Sequence, residues 1–185
     1  MSNPILLVDD EANVLSALSR ALFDEPYEIT CAQSGEEALE LLEHTPFKLV
    51  ISDERMPGMQ GSELLALVRD RWPHTLRILL TGHATLEAAM KAVNQGEIYR
   101  FFTKPWNDTE LKFAIRSAIE RYDLEEDNRR LLATVRSQAM EIKVLERRYP
   151  GISRVERDPM GSFVLPELSE AEIKMMLAEC ERECS

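Results

Sequence analysis

Four polar clusters in this sequence carry residue types that could do chemistry together: Asp9-Asp10, Asp53, Thr81 and Lys104. Each follows a short apolar run. Ile5 to Val8 leads to Asp9, Leu49-Val50-Ile51 to Ser52-Asp53, Ile78-Leu79-Leu80 to Thr81, and Ile98 to Phe102 to Thr103-Lys104. Unbroken apolar runs of this length are the mark of strands buried on both faces, as in parallel sheets. Polar groups that each end a parallel strand gather at one carboxyl edge, where open α/β sheets bind ligands. Three carboxylates gathered there repel one another, and a bound cation relieves the repulsion. Oxygen ligands without His or Cys suit Mg2+, which keeps several of its waters. Lys104 adds a positive charge and Thr81 a hydroxyl, so the set can neutralise and hydrogen-bond a phosphoryl group. A carboxylate in such a pocket is also a workable nucleophile toward phosphorus, giving an acyl phosphate.

The elements that must position these residues are legible from periodicity. Tyr27 to Cys31 is a fifth, weaker apolar run. Between the runs lie helical patterns: Val14, Leu15, Leu18 and Leu22; a capping box at Ser34-Gly35-Glu36-Glu37 before Ala38, Leu39, Leu41 and Leu42; and Leu64, Leu65 and Val68 before Pro73. Thr85 can cap a fourth helix that ends near Gly96, and Asn107-Asp108-Thr109-Glu110 caps a fifth. Five strands alternating with five helices predict a doubly wound α/β fold.

The residues at this edge resemble the receiver domain of two-component response regulators. The matching motifs are Leu7-Val8-Asp9-Asp10-Glu11, Asp53-Glu54-Arg55-Met56-Pro57-Gly58-Met59, Thr81-Gly82 and Lys104-Pro105, over about residues 3–122. The resemblance implies a flavodoxin-like five-stranded parallel sheet in the order 2-1-3-4-5. It implies Asp53 as the phosphoryl acceptor and Mg2+ held by Asp10 directly, Asp9 through water, Asp53, and the backbone carbonyl of Arg55. Thr81 would bond the phosphoryl oxygens and swing inward, Lys104 would pair with the phosphoryl group, and Phe101 would stand as the switch aromatic. A cis bond is implied between Lys104 and Pro105. The segment Gly96 to Trp106 further resembles a receiver subgroup that often precedes cyclic-di-nucleotide phosphodiesterases and other signalling outputs.

The fifth helix pattern overruns the domain. Between Asn107 and Arg148 there is no Gly or Pro, which allows a helix of about 60 Å at 1.5 Å per residue. Leu111, Ile115, Ala118 and Tyr122 suit packing on the sheet. Beyond them Leu124, Asn128, Leu131, Val135, Gln138, Ile142, Leu145 and Tyr149 alternate in steps of four and three, a heptad seam with two polar members. Pro150-Gly151 ends it. A small hairpin (Ile152 to Glu156 and Ser162 to Leu165) and a last helix capped at Ser169-Glu170-Ala171-Glu172 are expected to follow. The expected organisation is thus a receiver domain at 1–122, a coiled-coil extension at 123–149, and a hairpin plus terminal helix at 150–185.

Composition limits the function. The 185 residues carry a formal net charge of −11, which disfavours non-specific binding to nucleic acid or anionic membranes. Residues 123–166 hold eight acidic and eight basic groups, as suits a helix that meets another helix. The roughly 35 residues after Pro150 are too few for a catalytic or helix-turn-helix output domain. Cys31, Cys180 and Cys184 are an odd, scattered set, so a disulfide framework is not expected, nor a metal site at the last two. With no signal peptide or membrane span in the sequence, a cytoplasmic location is expected.

These observations predict a response regulator that is not an enzyme. It would receive a phosphoryl group from a histidine kinase or phosphotransfer protein and act through homo-oligomerisation or an unknown downstream protein, without nucleic acid or membrane. The alternatives are a receiver-fold scaffold that is never phosphorylated, or a regulator of a separate cyclic-di-nucleotide enzyme.

Overall fold

The computed structural model describes residues 3–82 and 98–149, with the backbone of 156–157 and 163–164. The chain divides into two compact units, 1–130 and 131–185.

The first unit is built on five parallel strands: β1 (Pro4–Val8), β2 (Glu28–Ala32), β3 (Leu49–Asp53), β4 (Leu76–Thr81) and β5 (Arg100–Thr103). Their order is β2-β1-β3-β4-β5, the predicted topology. Ile51 pairs with both Leu7 and Ile78, and Thr81 with Thr103. The central strands are buried throughout, which is why they read as unbroken apolar runs. Edge strand β2 is half-exposed and its apolar signal correspondingly weak. Strand β5 starts two residues later than the apolar run predicts, because Ile98 is buried ahead of the ladder and the Tyr99 N–H already donates to the Arg77 carbonyl at 2.7 Å.

Alternation within each strand feeds two cores. Leu6, Val8, Val50 and Leu79 pack with Ala38, Leu42, Leu64, Leu65 and Val68 from helices α2 (Gly35–His44) and α3 (Gly61–Arg71). Ile5, Leu7, Ile51, Ile78 and Leu80 pack on the other face. There they meet Leu15, Leu18, Leu111, Ile115, Ala118 and Ile119 from helices α1 (Ala12–Ala21) and α4 (Asp108–Arg148). Each fully buried Leu or Ile stabilises the fold by about 1.5–3 kcal/mol. The helix expected between Thr85 and Gly96 lies outside the described residues.

The caps follow the sequence. The Glu37 N–H donates to Ser34 Oγ at 3.1 Å, and the Glu37 carboxylate accepts the Gln33 N–H at 2.7 Å. Asn107 Oδ1 accepts the N–H groups of Thr109 and Glu110. From there α4 runs to Arg148. Leu111, Ala114, Ile115, Ala118 and Ile119 are buried and Tyr122 still packs on the core, while Phe113 is exposed. Lys48, just before β3, pairs with Asp123 at 2.6 Å, bonds Asn3 at 2.8 Å and lies 5.8 Å from the centre of the Tyr122 ring. Beyond this point the apolar side chains are exposed.

In the second unit, strands β6 (Glu156–Arg157) and β7 (Phe163–Val164) pair antiparallel. This is a hairpin where one was expected, with a ladder of two residues per strand. The last predicted helix, Cys180 and Cys184 lie outside the described residues. Cys31 is a free, exposed thiol, and no described helix is long and apolar enough to cross a membrane.

If Ser34 anchors α2, Ser34→Ala lowers stability by about 1 kcal/mol. Urea unfolding would show a lower midpoint at an unchanged slope.

Candidate functional site

All four polar clusters reach the carboxyl edge of the sheet. Asp9 follows β1 and is wholly buried, Asp53 ends β3 at 5% exposure, and Thr81 ends β4 wholly buried. Lys104 follows β5. Its Nζ lies 2.8 Å from Asp9 Oδ2 and 2.5 Å from Asp53 Oδ1. One ammonium therefore joins carboxylates from two different strands. Burial works against the Lys104 charge, but the hydrogen bonds and charges of Asp53 and Asp9 outweigh it and raise its pKa above the ordinary lysine value.

The remaining carboxylate oxygens meet backbone. Asp9 Oδ1 accepts the Glu11 N–H at 2.9 Å, and Asp53 Oδ2 accepts the Arg55 N–H at 2.7 Å. The Lys104 N–H donates to the Thr81 carbonyl at 2.8 Å, so the lysine is placed through its main chain as well. Thr81 Oγ1 donates to the Gly82 carbonyl at 3.1 Å. The Lys104–Pro105 bond is cis, as expected.

Two predicted residues stand apart from this cluster. Asp10 is exposed, at the rim of the edge. Phe101, opposite Leu79 in the ladder, is half-buried against the core rather than in the polar pocket. Beside it, a depression of about 770 Å³ is lined by Tyr99, Phe101, Thr109 and Phe113 among others.

Among the described residues, no group of three or more acidic, His or Cys side chains converges closely enough to hold a metal. The donors still fit a hard cation. Asp9 and Asp53 already share one positive centre, the lysine ammonium, and every ligand they offer is oxygen.

Sequence reasoning missed Glu54, next to Asp53. It is 6% exposed, and its carboxylate accepts from the Ser62 N–H at 2.9 Å and from Ser62 Oγ at 3.1 Å. The available signal was the poor capping residue at the start of α3, Gln60, which makes no side-chain cap bond. Gly61 is also required here, since a Cβ on it would stand 2.0 Å from the Asp53 carbonyl oxygen.

Sheet order and edge chemistry together place the molecule among receiver-fold signalling domains. The chain belongs to the response regulator receiver domain family, whose model matches residues 5–116. It is 39% identical over 127 residues to the hydrogenase transcriptional regulatory protein HoxA of Cupriavidus necator, covering 69% of this chain and 26% of that one. It is 36% identical over 142 residues to the transcriptional regulatory protein GlrR of Escherichia coli (strain K12), covering 77% and 32%. The chain thus spans about a quarter to a third of the length of these relatives. Among solved structures it is similar to the signal receiver domain of an HD domain-containing protein from Pseudomonas fluorescens Pf-5. That match has a TM-score of 0.63 and 42% identity, and covers 66% of this chain and 98% of that one. A structure titled adenylate cyclase from Rhodopirellula baltica matches with a TM-score of 0.68 and 40% identity, covering 72% and 98%.

Replacing Lys104 by Met leaves Asp9 and Asp53 without their shared ammonium and costs about 1–3 kcal/mol. Thermal melts with Mg2+ and with EDTA check the site. Mg2+ should raise the melting temperature more in Lys104→Met than in the wild type, and equal shifts would show that cation and ammonium do not share these carboxylates.

Proposed function

We propose that this protein is a phosphorylation-dependent response regulator whose acceptor is Asp53, loaded by a histidine kinase or phosphotransfer protein. The observation that carries this is the bridge from Lys104 to both Asp9 and Asp53 at the carboxyl edge of a receiver sheet. An Asp53 carboxylate oxygen attacks the phosphorus of a phosphohistidine, the P–N bond breaks, and the imidazole nitrogen keeps the electron pair and takes up a proton. Asp9, Asp10, Asp53 and the Arg55 carbonyl would hold Mg2+, which when bound would neutralise charge on the phosphoryl oxygens. Lys104 is placed to exchange its contact with Asp53 for one with the phosphoryl group, and the Thr81 hydroxyl to turn from the Gly82 carbonyl toward it. Phe101, half-buried on the same strand as Thr103, would reorient as Thr81 moves.

The output we propose is protein association through α4. Leu131 at 64%, Val135 at 59%, Ile142 at 51% and Leu145 at 46% exposure lie on the heptad seam and have no cover from their own helix. An apolar seam on so long a helix is stabilised by a second helix, so residues 123–149 would form a homo-oligomeric coiled coil. Phosphorylation would shift the population between two arrangements of it. HoxA and GlrR are transcriptional regulators by name, but the similarity covers 26% and 32% of them. The net charge of −11 supports an output through protein rather than nucleic acid.

Incubation with acetyl phosphate and Mg2+ should give a phosphorylated species on a phosphate-affinity gel, and Asp53→Asn should abolish it. An unmodified wild type would favour a receiver-fold scaffold. Light scattering should give a mass above that of the 21.2 kDa chain, and Val135→Glu with Ile142→Glu should return it to monomer. A monomeric wild type would remove the coiled coil.

A further inference from the structure

We propose that Glu54 is a positioning residue, one that holds the loop between β3 and α3 so that the Arg55 carbonyl faces the cation at Asp53. This rests on the assignment of Asp53 as the metal-assisted acceptor. A buried carboxylate must be hydrogen-bonded or paired to be tolerated. The contacts of Glu54 go to the start of α3, where Oε2 accepts the Ser62 N–H and Oε1 the Ser62 hydroxyl. Its carbonyl accepts the Gly61 N–H at 3.1 Å, and its own N–H donates to the Leu80 carbonyl at 2.8 Å. One residue thus joins β4 on one side to the first turn of α3 on the other.

The side chain suits the task. Gln60 caps nothing with its side chain, so the first N–H groups of α3 need acceptors from elsewhere. A carboxylate supplies two oxygens to two donors at once and places negative charge at the positive end of the helix dipole. Between the two ends of this clasp lie Arg55, buried Met56, Pro57, Gly58 with φ +81°, Met59 and Gln60. The loop is closed at its neck. At that neck Gly61 sits directly on the Asp53 carbonyl, and the Arg55 N–H donates to Asp53 Oδ2. Opening the neck turns the peptide that must offer its carbonyl to the metal and withdraws a hydrogen bond from the nucleophile.

A plain helix cap would change stability alone, so the test separates stability from metal binding. The full chain and the variants Glu54→Ala, Glu54→Gln and Ser62→Ala are compared in three ways: Mg2+ affinity by calorimetry, hydrogen exchange of the 55–62 amides without metal, and urea unfolding. Glu54→Ala should bind Mg2+ about 10–100-fold more weakly, the usual effect of removing a group that orients a ligand. It should also exchange the Arg55 and Ser62 amides faster. Glu54→Gln keeps an acceptor and should recover most of the affinity. Ser62→Ala keeps the N–H bond and should stay near wild type. If Glu54→Ala does not fold, Glu54→Asp decides: its shorter side chain draws the carboxylate back from Ser62, so it should weaken Mg2+ binding and speed exchange of the Ser62 amide, and wild-type affinity would overturn the role. Unchanged affinity in a folded Glu54→Ala, or equal losses in Glu54→Gln and Glu54→Ala, would overturn the positioning role while leaving Asp53 as acceptor. A wild-type chain that binds no Mg2+ would overturn both.

Discussion

Two buried carboxylates from different strands cannot share one sheet edge without a positive charge between them. Lys104 supplies that charge to Asp9 and Asp53, and much of the local architecture follows from the need to deliver it. Its strand pairs with β4, its N–H is bonded to Thr81, and its peptide to Pro105 is cis. Placement through the main chain fixes where the ammonium stem begins. The flexible stem then lets the head group move between partners, which a rigid guanidinium would do less readily. The bond that compensates the two carboxylates is therefore also one that an incoming anion can compete for.

The β3–α3 loop answers a complementary demand. Asp53 must be held rigidly as well as neutralised, and its neighbours supply the rigidity. Arg55 donates to its side chain, Ser52 Oγ donates to its carbonyl at 2.9 Å, and Gly61 lets the helix start lie against that carbonyl. Glu54 bonds the start of α3 at Gly61 and Ser62 and the end of β4 at Leu80. Asp53 thus combines a fixed backbone with a carboxylate whose charge is balanced by the Lys104 ammonium.

The central sheet was legible because burial on both faces leaves a pattern of its own. Runs such as Ile5 to Val8 and Leu49 to Ile51 are apolar at every position, where a half-buried strand would alternate and a surface helix would show polar residues within one turn. Asp9, Asp53, Thr81 and Lys104 were legible because each ends such a run. Asp10, the second residue past β1, is exposed at the rim of the same edge. Glu54 left only an indirect trace, the poor capping residue Gln60 at the start of α3. Its partner, Ser62, is eight residues away across a loop whose path depends on Gly58 and Gly61, and neither periodicity nor a local capping pattern records that contact. The Lys48–Asp123 pair escaped in the same way, since the two residues are joined only through the packing of α4 on the sheet.

Helix α4 connects the two halves of the problem. It starts just after Lys104 and Pro105, with Asn107 as its cap, beside the carboxyl edge. It crosses one face of the sheet on Leu111, Ala114, Ile115, Ala118 and Ile119. At the amino edge Lys48 holds Asp123 and lies near the Tyr122 ring. Between these two edges the buried stripe of α4 interdigitates with the core at the density usual for protein interiors. The exposed seam begins with Leu124, one residue beyond that contact. In a single chain this seam leaves apolar surface in water, and the cost falls only when another helix covers it.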